Sequence, residues 1–170
     1  MTTPPLTFET LVADAKIVTA ALAARRQTVA VAESSTGGLV SAALLAHPGA
    51  SAWFLGGGII YTPRARHRLL DLKREDVQGL RGASEPYARV LAERTRSRFA
   101  ATWGLGETGA TGPSANPYGD PPGHCCYAIT GPAGTVSQTL ETGNPDRLQN
   151  MLTFSRHVLA ALLEQVTKSN

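Results

Sequence analysis

The chain is short of cysteine, lysine and aromatic residues, and each shortage closes off a class of function. Two of its 170 residues are cysteines, the adjacent Cys125 and Cys126. Neighbours on a strand point to opposite faces, so a disulfide between them would be strained. No second Cys or His pair stands at metal-ligand spacing, so the two read as small apolar strand residues and no metal is expected. No apolar run is long enough to span a bilayer, so no membrane partner is expected. Met1 to Thr7 has no basic region followed by an apolar stretch, which gives no secretory signal and a cytoplasmic expectation. No Gly-Lys-Ser/Thr triplet occurs, so there is no P-loop.

Positive charge is present but scattered. Thirteen arginines and three lysines give a net charge of +3 and a pI near 9.1. Arg89, Arg94, Arg96 and Arg98 do not share a stripe at 100° per residue, and no aromatic side chains are interleaved for base stacking. A nucleic-acid partner is therefore not expected. With 42% hydrophobic and 17% charged residues the chain is globular, and its length fits a single domain over residues 1–170.

The remainder is organised around residues 28 to 46. Thr28 to Ala32 are small or β-branched, as in a buried strand, and Leu39 to Ala46 suit a helix. Between them stand Glu33, Ser34, Ser35, Thr36, Gly37 and Gly38. One hydroxyl suffices for a helix cap. Three hydroxyls, a carboxylate and two glycines at a strand-to-helix turn point instead to a ligand site, where free N–H groups attract an anion.

Helices are expected over Phe8–Arg26, after Pro63, from Ser84 to about Ala100, and from Pro145 to about Lys168. Strands are expected over 53–61, 102–108, 124–130 and 135–140, the last two as an antiparallel hairpin through Gly131-Pro132-Ala133-Gly134. Leu72 to Arg81 reads as a polar connector. Helices alternating with strands, plus one late hairpin, predict a three-layer α/β/α sandwich with a mixed sheet. Gly56, Gly57 and Gly58 inside a strand imply either close approach of a turn or ligand, or a β-bulge.

Gly104-Leu105-Gly106-Glu107-Thr108-Gly109 has dinucleotide-fingerprint spacing but does not open a helix, because Gly112-Pro113 follows. No cofactor is expected. Thr108, Gly109, Ala110, Thr111 and Gly112 form a second glycine and hydroxyl turn at a strand end, able to converge with the first on one pocket. Residues 109–123 hold four glycines and four prolines, a loop long enough to suggest function.

These motifs carry a resemblance. Ala32 to Gly38, Pro48-Gly49-Ala50-Ser51, Phe54-Leu55-Gly56-Gly57, Tyr61-Thr62, Ser84-Glu85-Pro86 and Thr108 to Pro113 resemble, in order, the C-terminal domain of the competence/damage-inducible CinA family. The resemblance implies a nicotinamide-nucleotide amidase, which hydrolyses the carboxamide of nicotinamide mononucleotide to nicotinate mononucleotide and ammonia, and a homo-oligomer. It implies Ser34 as nucleophile and Tyr61 as a supporting hydroxyl. Glu33, Ser35, Thr36, Gly37, Gly38, Gly57, Gly58 and the 108–112 turn become the cradle of a pyridine nucleotide.

Several features depart from the family pattern, the long loop Asn116 to His124 among them. The lysine five residues beyond the tyrosine, which can act as base, is Arg66, and arginine does not accept a proton. The usual Ser-Cys pair reads Ser34-Ser35. Arginines near the start of the last helix are replaced by Gln149 and Asn150. Either another group is the base, with His67, His124, Glu33 and Tyr61 as candidates, or the chain is a non-catalytic nucleotide-binding homologue.

Overall fold

In the computed structural model, which describes residues 5–169, five strands form one mixed sheet in the order β2-β1-β3-β4-β5. Of the Met1–Thr7 stretch, residues 1–4 lie outside the described residues. The chain runs α1 (Phe8–Arg25), β1 (Val29–Glu33), α2 (Leu39–Leu45), β2 (Phe54–Ile59), α3 (Pro63–Leu70), α4 (Glu85–Phe99), β3 (Trp103–Ala110), β4 (His124–Gly131), β5 (Gly134–Glu141) and α5 (Arg147–Lys168). β1 pairs parallel with β2 and β3, while β3, β4 and β5 pair antiparallel. Two single-turn 3-10 helices, Ala50–Ala52 and Glu75–Val77, interrupt segments expected to be irregular. The 72–81 connector is less polar in place than in sequence, since Leu72 and Val77 are buried.

Helices α1, α2 and α5 pack together on one face, and α4 packs across the strands on the other with α3 beside it. The larger core joins Leu11, Leu22, Val31, Leu105, Phe154 and Leu162. The two cysteines divide between the faces as strand alternation requires: Cys125 joins that core, and Cys126 joins Ala88, Ala92 and Ala128 beneath α4. No helix among the described residues is long and apolar enough to cross a membrane.

The helix starts follow local chemistry. Thr62 and Ser84 cap α3 and α4, each with proline in the first turn, and Asp146 caps α5. The surface arginines tie elements together. Arg89 donates to Ser137 and to the Thr135 carbonyl, Arg94 to the Asp71 carbonyl and Arg96 to the Thr102 carbonyl.

The fingerprint spacing in β3 proves to be a packing device. A Cβ on Gly104 would stand 2.2 Å from the Ala92 carbonyl oxygen, and one on Gly106 2.3 Å from that of Ala88. Helix α4 therefore rests directly on the backbone of β3. In β2 the register irregularity is present, but the close approach is made by side chains and not by the expected turn or ligand. The register with β1 slips between Val29 and Ala30, while Gly56 admits the Phe99 ring and Gly57 admits Ser41 Oγ. Because the obstructing atom at Gly106 is backbone, Gly106→Ala is expected to cost about 3 kcal/mol or more in urea-unfolding free energy. A loss under about 0.5 kcal/mol would show that α4 can lift off.

Candidate active site

Parallel pairing brings the ends of β1, β2 and β3 to one edge. Ala32 is in register with Gly106, and Glu33 with Ile59, so Ser34, Tyr61 and Thr108 emerge together. The chain leaves β1 through α2 on one face and reaches β3 through α3 and α4 on the other. The connections therefore diverge beyond β1 and β3 and leave a crevice there.

Two buried carboxylates shape that crevice. Glu33 turns inward and fills the N-terminus of α2, accepting from Gly38 N (3.0 Å), Val40 N (3.0 Å), Ser41 N (2.8 Å), Ser41 Oγ (2.6 Å) and Thr36 Oγ1 (2.7 Å). The anion expected at this helix end is thus the protein's own. Glu107, wholly buried in β3, accepts from Ser34 N (2.9 Å), Thr36 N (3.0 Å) and Thr36 Oγ1 (2.8 Å), and from the Ser35 hydroxyl. Thr36 has one hydroxyl proton and two carboxyl neighbours, so a second proton on Glu107 would complete the bridge. Burial pushes the Glu107 carboxyl up in that sense, against the lowering effect of the hydrogen bonds from Ser35, Thr36 and Ser34. Burial likewise pushes the Cys125 thiol well up, which keeps it protonated and inert.

Ser34 is held by its backbone, and its own hydroxyl has no hydrogen-bond partner among the described residues. It opens into a cavity of about 280 Å³ with Tyr61, Arg66, Tyr87, Thr108, Asn116 and Tyr118 on its walls. A second cavity, about 370 Å³, shares Tyr61, Gly109, Asn116 and Pro117 with the first and adds Ser35, the 110–112 turn and Arg147. Arg147 Nη1 donates to the Gly112 carbonyl at 2.7 Å, and the buried Asn150 donates to the Thr111 carbonyl at 2.8 Å. An arginine does stand at the start of the last helix, ahead of Gln149 and Asn150.

Of the residues expected from sequence, Ser34, Ser35, Tyr61, Arg66, Thr108, Gly109, Ala110, Thr111 and Gly112 line these cavities. Glu33 and Thr36 lie beneath them, where their polar atoms are spent on the turn itself. Gly37 and Gly38 take positive φ of 63° and 97° to swing the chain into α2, and they face Met151 and Ile59. Gly57 and Gly58 face Ser41 and Leu69. Sequence reasoning passed over Glu107, Tyr87, Tyr118 and Arg147. For Glu107 a signal existed, since a carboxylate inside an otherwise apolar strand is rarely left unpartnered.

The histidines do not supply a base at Ser34. His67 is exposed on α3. His124 is buried with both ring nitrogens against acceptors, Nδ1 on Glu141 and Nε2 on the Ala83 carbonyl at 2.8 Å, with Asp120 and Cys126 also beside it. Only an imidazolium donates to both. It thereby ties the 81–83 segment, which walls the first cavity, to β4 and β5.

Two tests follow from this geometry. Glu107→Ala strands buried N–H and O–H donors and is expected to cost about 3 kcal/mol or more, whereas Ser34→Ala should stay within about 0.5 kcal/mol. Equal losses in urea unfolding would refute the division between scaffold and reactive hydroxyl. For His124, burial alone would lower the pKa from its ordinary 6.5, but Glu141, the Ala83 carbonyl and Asp120 raise it. The folded value lies above the unfolded one, so this stabilisation is complete below about pH 6.5 and is lost as pH rises through the folded value. Thermal melts should fall across that window, and Glu141→Gln should flatten the fall.

Comparison with known proteins places this arrangement. The family profile of the CinA C-terminal domain matches residues 12–166. A CinA-like protein of Anaeromyxobacter sp. (strain K) is 39% identical over 140 residues, covering 82% of this chain and 34% of the relative. One from Synechococcus sp. (strain CC9902) is 40% identical over 120 residues, 71% of this chain and 29% of that protein. The chain thus spans about a third of the length of the curated relatives it matches. Among solved structures, a CinA superfamily protein from Klebsiella pneumoniae superposes with a TM-score of 0.86 at 24% identity, over 92% of this chain and 98% of that one. The competence/damage-inducible protein CihA of Agrobacterium tumefaciens gives 0.85 at 23% identity, over 98% and 100%. These two agree in fold, a three-layer α/β/α sandwich, and the sequence matches settle the rest: the chain belongs to the CinA C-terminal domain family.

Proposed function

We propose that the chain binds a pyridine nucleotide across the two cavities and is built as a nicotinamide-nucleotide amidase with weak turnover. The observation that carries this reading is the free Ser34 hydroxyl in the first cavity, one shared wall away from Arg147 in the second. A carboxamide ring would lie against Ser34, and a phosphate against the Arg147 guanidinium beside the 110–112 turn. Hydrolysis would proceed by attack of Ser34 Oγ on the carboxamide carbon. The hydroxyl proton leaves to a base, the nitrogen departs as ammonia, and water then releases the carboxylate from the acyl-serine.

The weak point is the base. No imidazole, carboxylate or amine lines the Ser34 cavity among the described residues. Its ionisable groups are Arg66 and the phenols of Tyr61, Tyr87 and Tyr118. Arginine keeps its proton, and a phenol is chiefly a donor at neutral pH. The same observation favours a second reading, a nucleotide-binding homologue without turnover. A small-molecule partner is common to both, and self-association remains part of the proposal.

Ammonia release from nicotinamide mononucleotide, run beside a binding titration, separates the two. Binding with slow release is the expected result, abolished by Ser34→Ala without loss of fold. Arg66→Lys should raise the rate, because lysine can be tuned to give up its proton. A wild-type rate equal to that of lysine-bearing relatives would overturn the assignment of the missing base. Absence of both binding and turnover would remove the nucleotide reading.

A further inference from the structure

We infer that the Ser34 cavity selects a planar aromatic carboxylate over the matching carboxamide, so that the chain holds the acid side of the amide-to-acid conversion more tightly than the amide side. The nucleotide form of the ligand rests on the proposed function; the preference for carboxylate rests on the cavity.

Arg66 is the one charged side chain on the cavity wall among the described residues. It takes part in no ion pair there, and its nearest hydrogen-bond partner is Tyr87 Oη at 3.5 Å from Nη1, the outer limit of such a bond. Its Nε is buried and has no acceptor among the described residues. A half-buried guanidinium held by one long hydrogen bond and no carboxylate leaves terminal N–H donors for a ligand that brings two acceptors in a plane. A carboxylate does so. A carboxamide offers one acceptor and turns an N–H₂ toward a group that is itself all donor.

The other walls fit the ring that would carry the acid. Three of the chain's four tyrosines, Tyr61, Tyr87 and Tyr118, line the cavity, whose volume of about 280 Å³ suits one ring and its substituent. Tyr118 stands on a hydrogen-bonded loop. Asn116 Oδ1 accepts from Tyr118 N and Asp120 N, Arg81 holds Asp120, and the phenol lies against Gly82, where a Cβ would meet its Oη at 2.7 Å. Arg81 also sits 5.9 Å from the Tyr118 ring centroid. Ring charge adds to the selection. A pyridinium carboxamide brings a net positive ring beside Arg66, whereas the carboxylate makes the same ring a zwitterion. A lysine could relieve that repulsion by losing its proton; Arg66 does not.

The test is a titration of the whole chain with two matched pairs, nicotinate and nicotinamide mononucleotide by calorimetry, and benzoate and benzamide by ligand-observed NMR. In each pair the acid should bind about tenfold tighter or more, the margin of a charge-assisted pair over a neutral one. Arg66→Gln should bring each pair within about twofold, and Arg66→Lys should retain part of the preference, which guards against a single variant that fails to fold. Equal affinities in the wild type, tighter amide binding, a preference surviving Arg66→Gln, or no binding of any of the four would overturn the inference. If benzoate is preferred to benzamide and neither nucleotide binds, the inference stands and the nucleotide reading falls.

Discussion

The turn from Ser34 to Gly38 exists in its observed shape because two carboxylates, Glu33 and Glu107, meet around it with Thr36 Oγ1 between them. Glu33 supplies the anion that the first turn of α2 needs, and Glu107 collects the N–H groups that the turn itself leaves over. A buried carboxyl is costly unless its oxygens are met, and here eight donor groups surround the two, with the Thr36 hydroxyl shared between them. The consequence for chemistry is a division of labour within one short peptide. Ser35 and Thr36 are committed to the scaffold, and of these hydroxyls that of Ser34 has no partner among the described residues.

That arrangement needs β3 at a fixed distance and angle, and the close seating of α4 on Gly104 and Gly106 sets both. A side chain at either glycine would push α4 away from the sheet and shift Glu107 with its strand. The same helix carries Tyr87 to the cavity, so the packing that positions the carboxylate also positions one wall of the site. On the hairpin side, the imidazolium of His124 links the 81–83 segment to Glu141, joining the cavity wall to β4 and β5.

The electrostatics of the cavity follow from a single exchange. Arg66 stands where the family resemblance leads one to expect a lysine, and it carries charge permanently. With no carboxylate on the wall to balance it among the described residues, Arg66 makes the cavity a receptor for acceptors rather than a proton-transfer site. The proposed weak turnover and the inferred preference for an acid both rest on that one property.

The main helices and strands, the mixed sheet, the division of the cysteines between faces and the helix starts at Pro63 and Ser84 were legible along the chain, because periodicity and helix-start chemistry are local properties of neighbouring residues. Ser34 and Tyr61 were legible as cavity residues, since hydroxyls at strand ends announce themselves, whereas of the expected 108–112 turn Thr108, Gly109 and Ala110 belong to β3. What neighbouring residues could not settle was which polar groups would be consumed. Glu33 and Thr36 looked like ligand contacts and serve the turn; His124 looked like a base and serves as a double donor. Glu107, Tyr118 and Arg147 reach the site or its support from distant positions, 73 residues separating Ser34 from Glu107. The sequence determined the elements and the chemistry they carry, while the tertiary structure decided which donors face which acceptors, because hydrogen-bond satisfaction in a buried crevice depends on three-dimensional register between strands far apart in the chain.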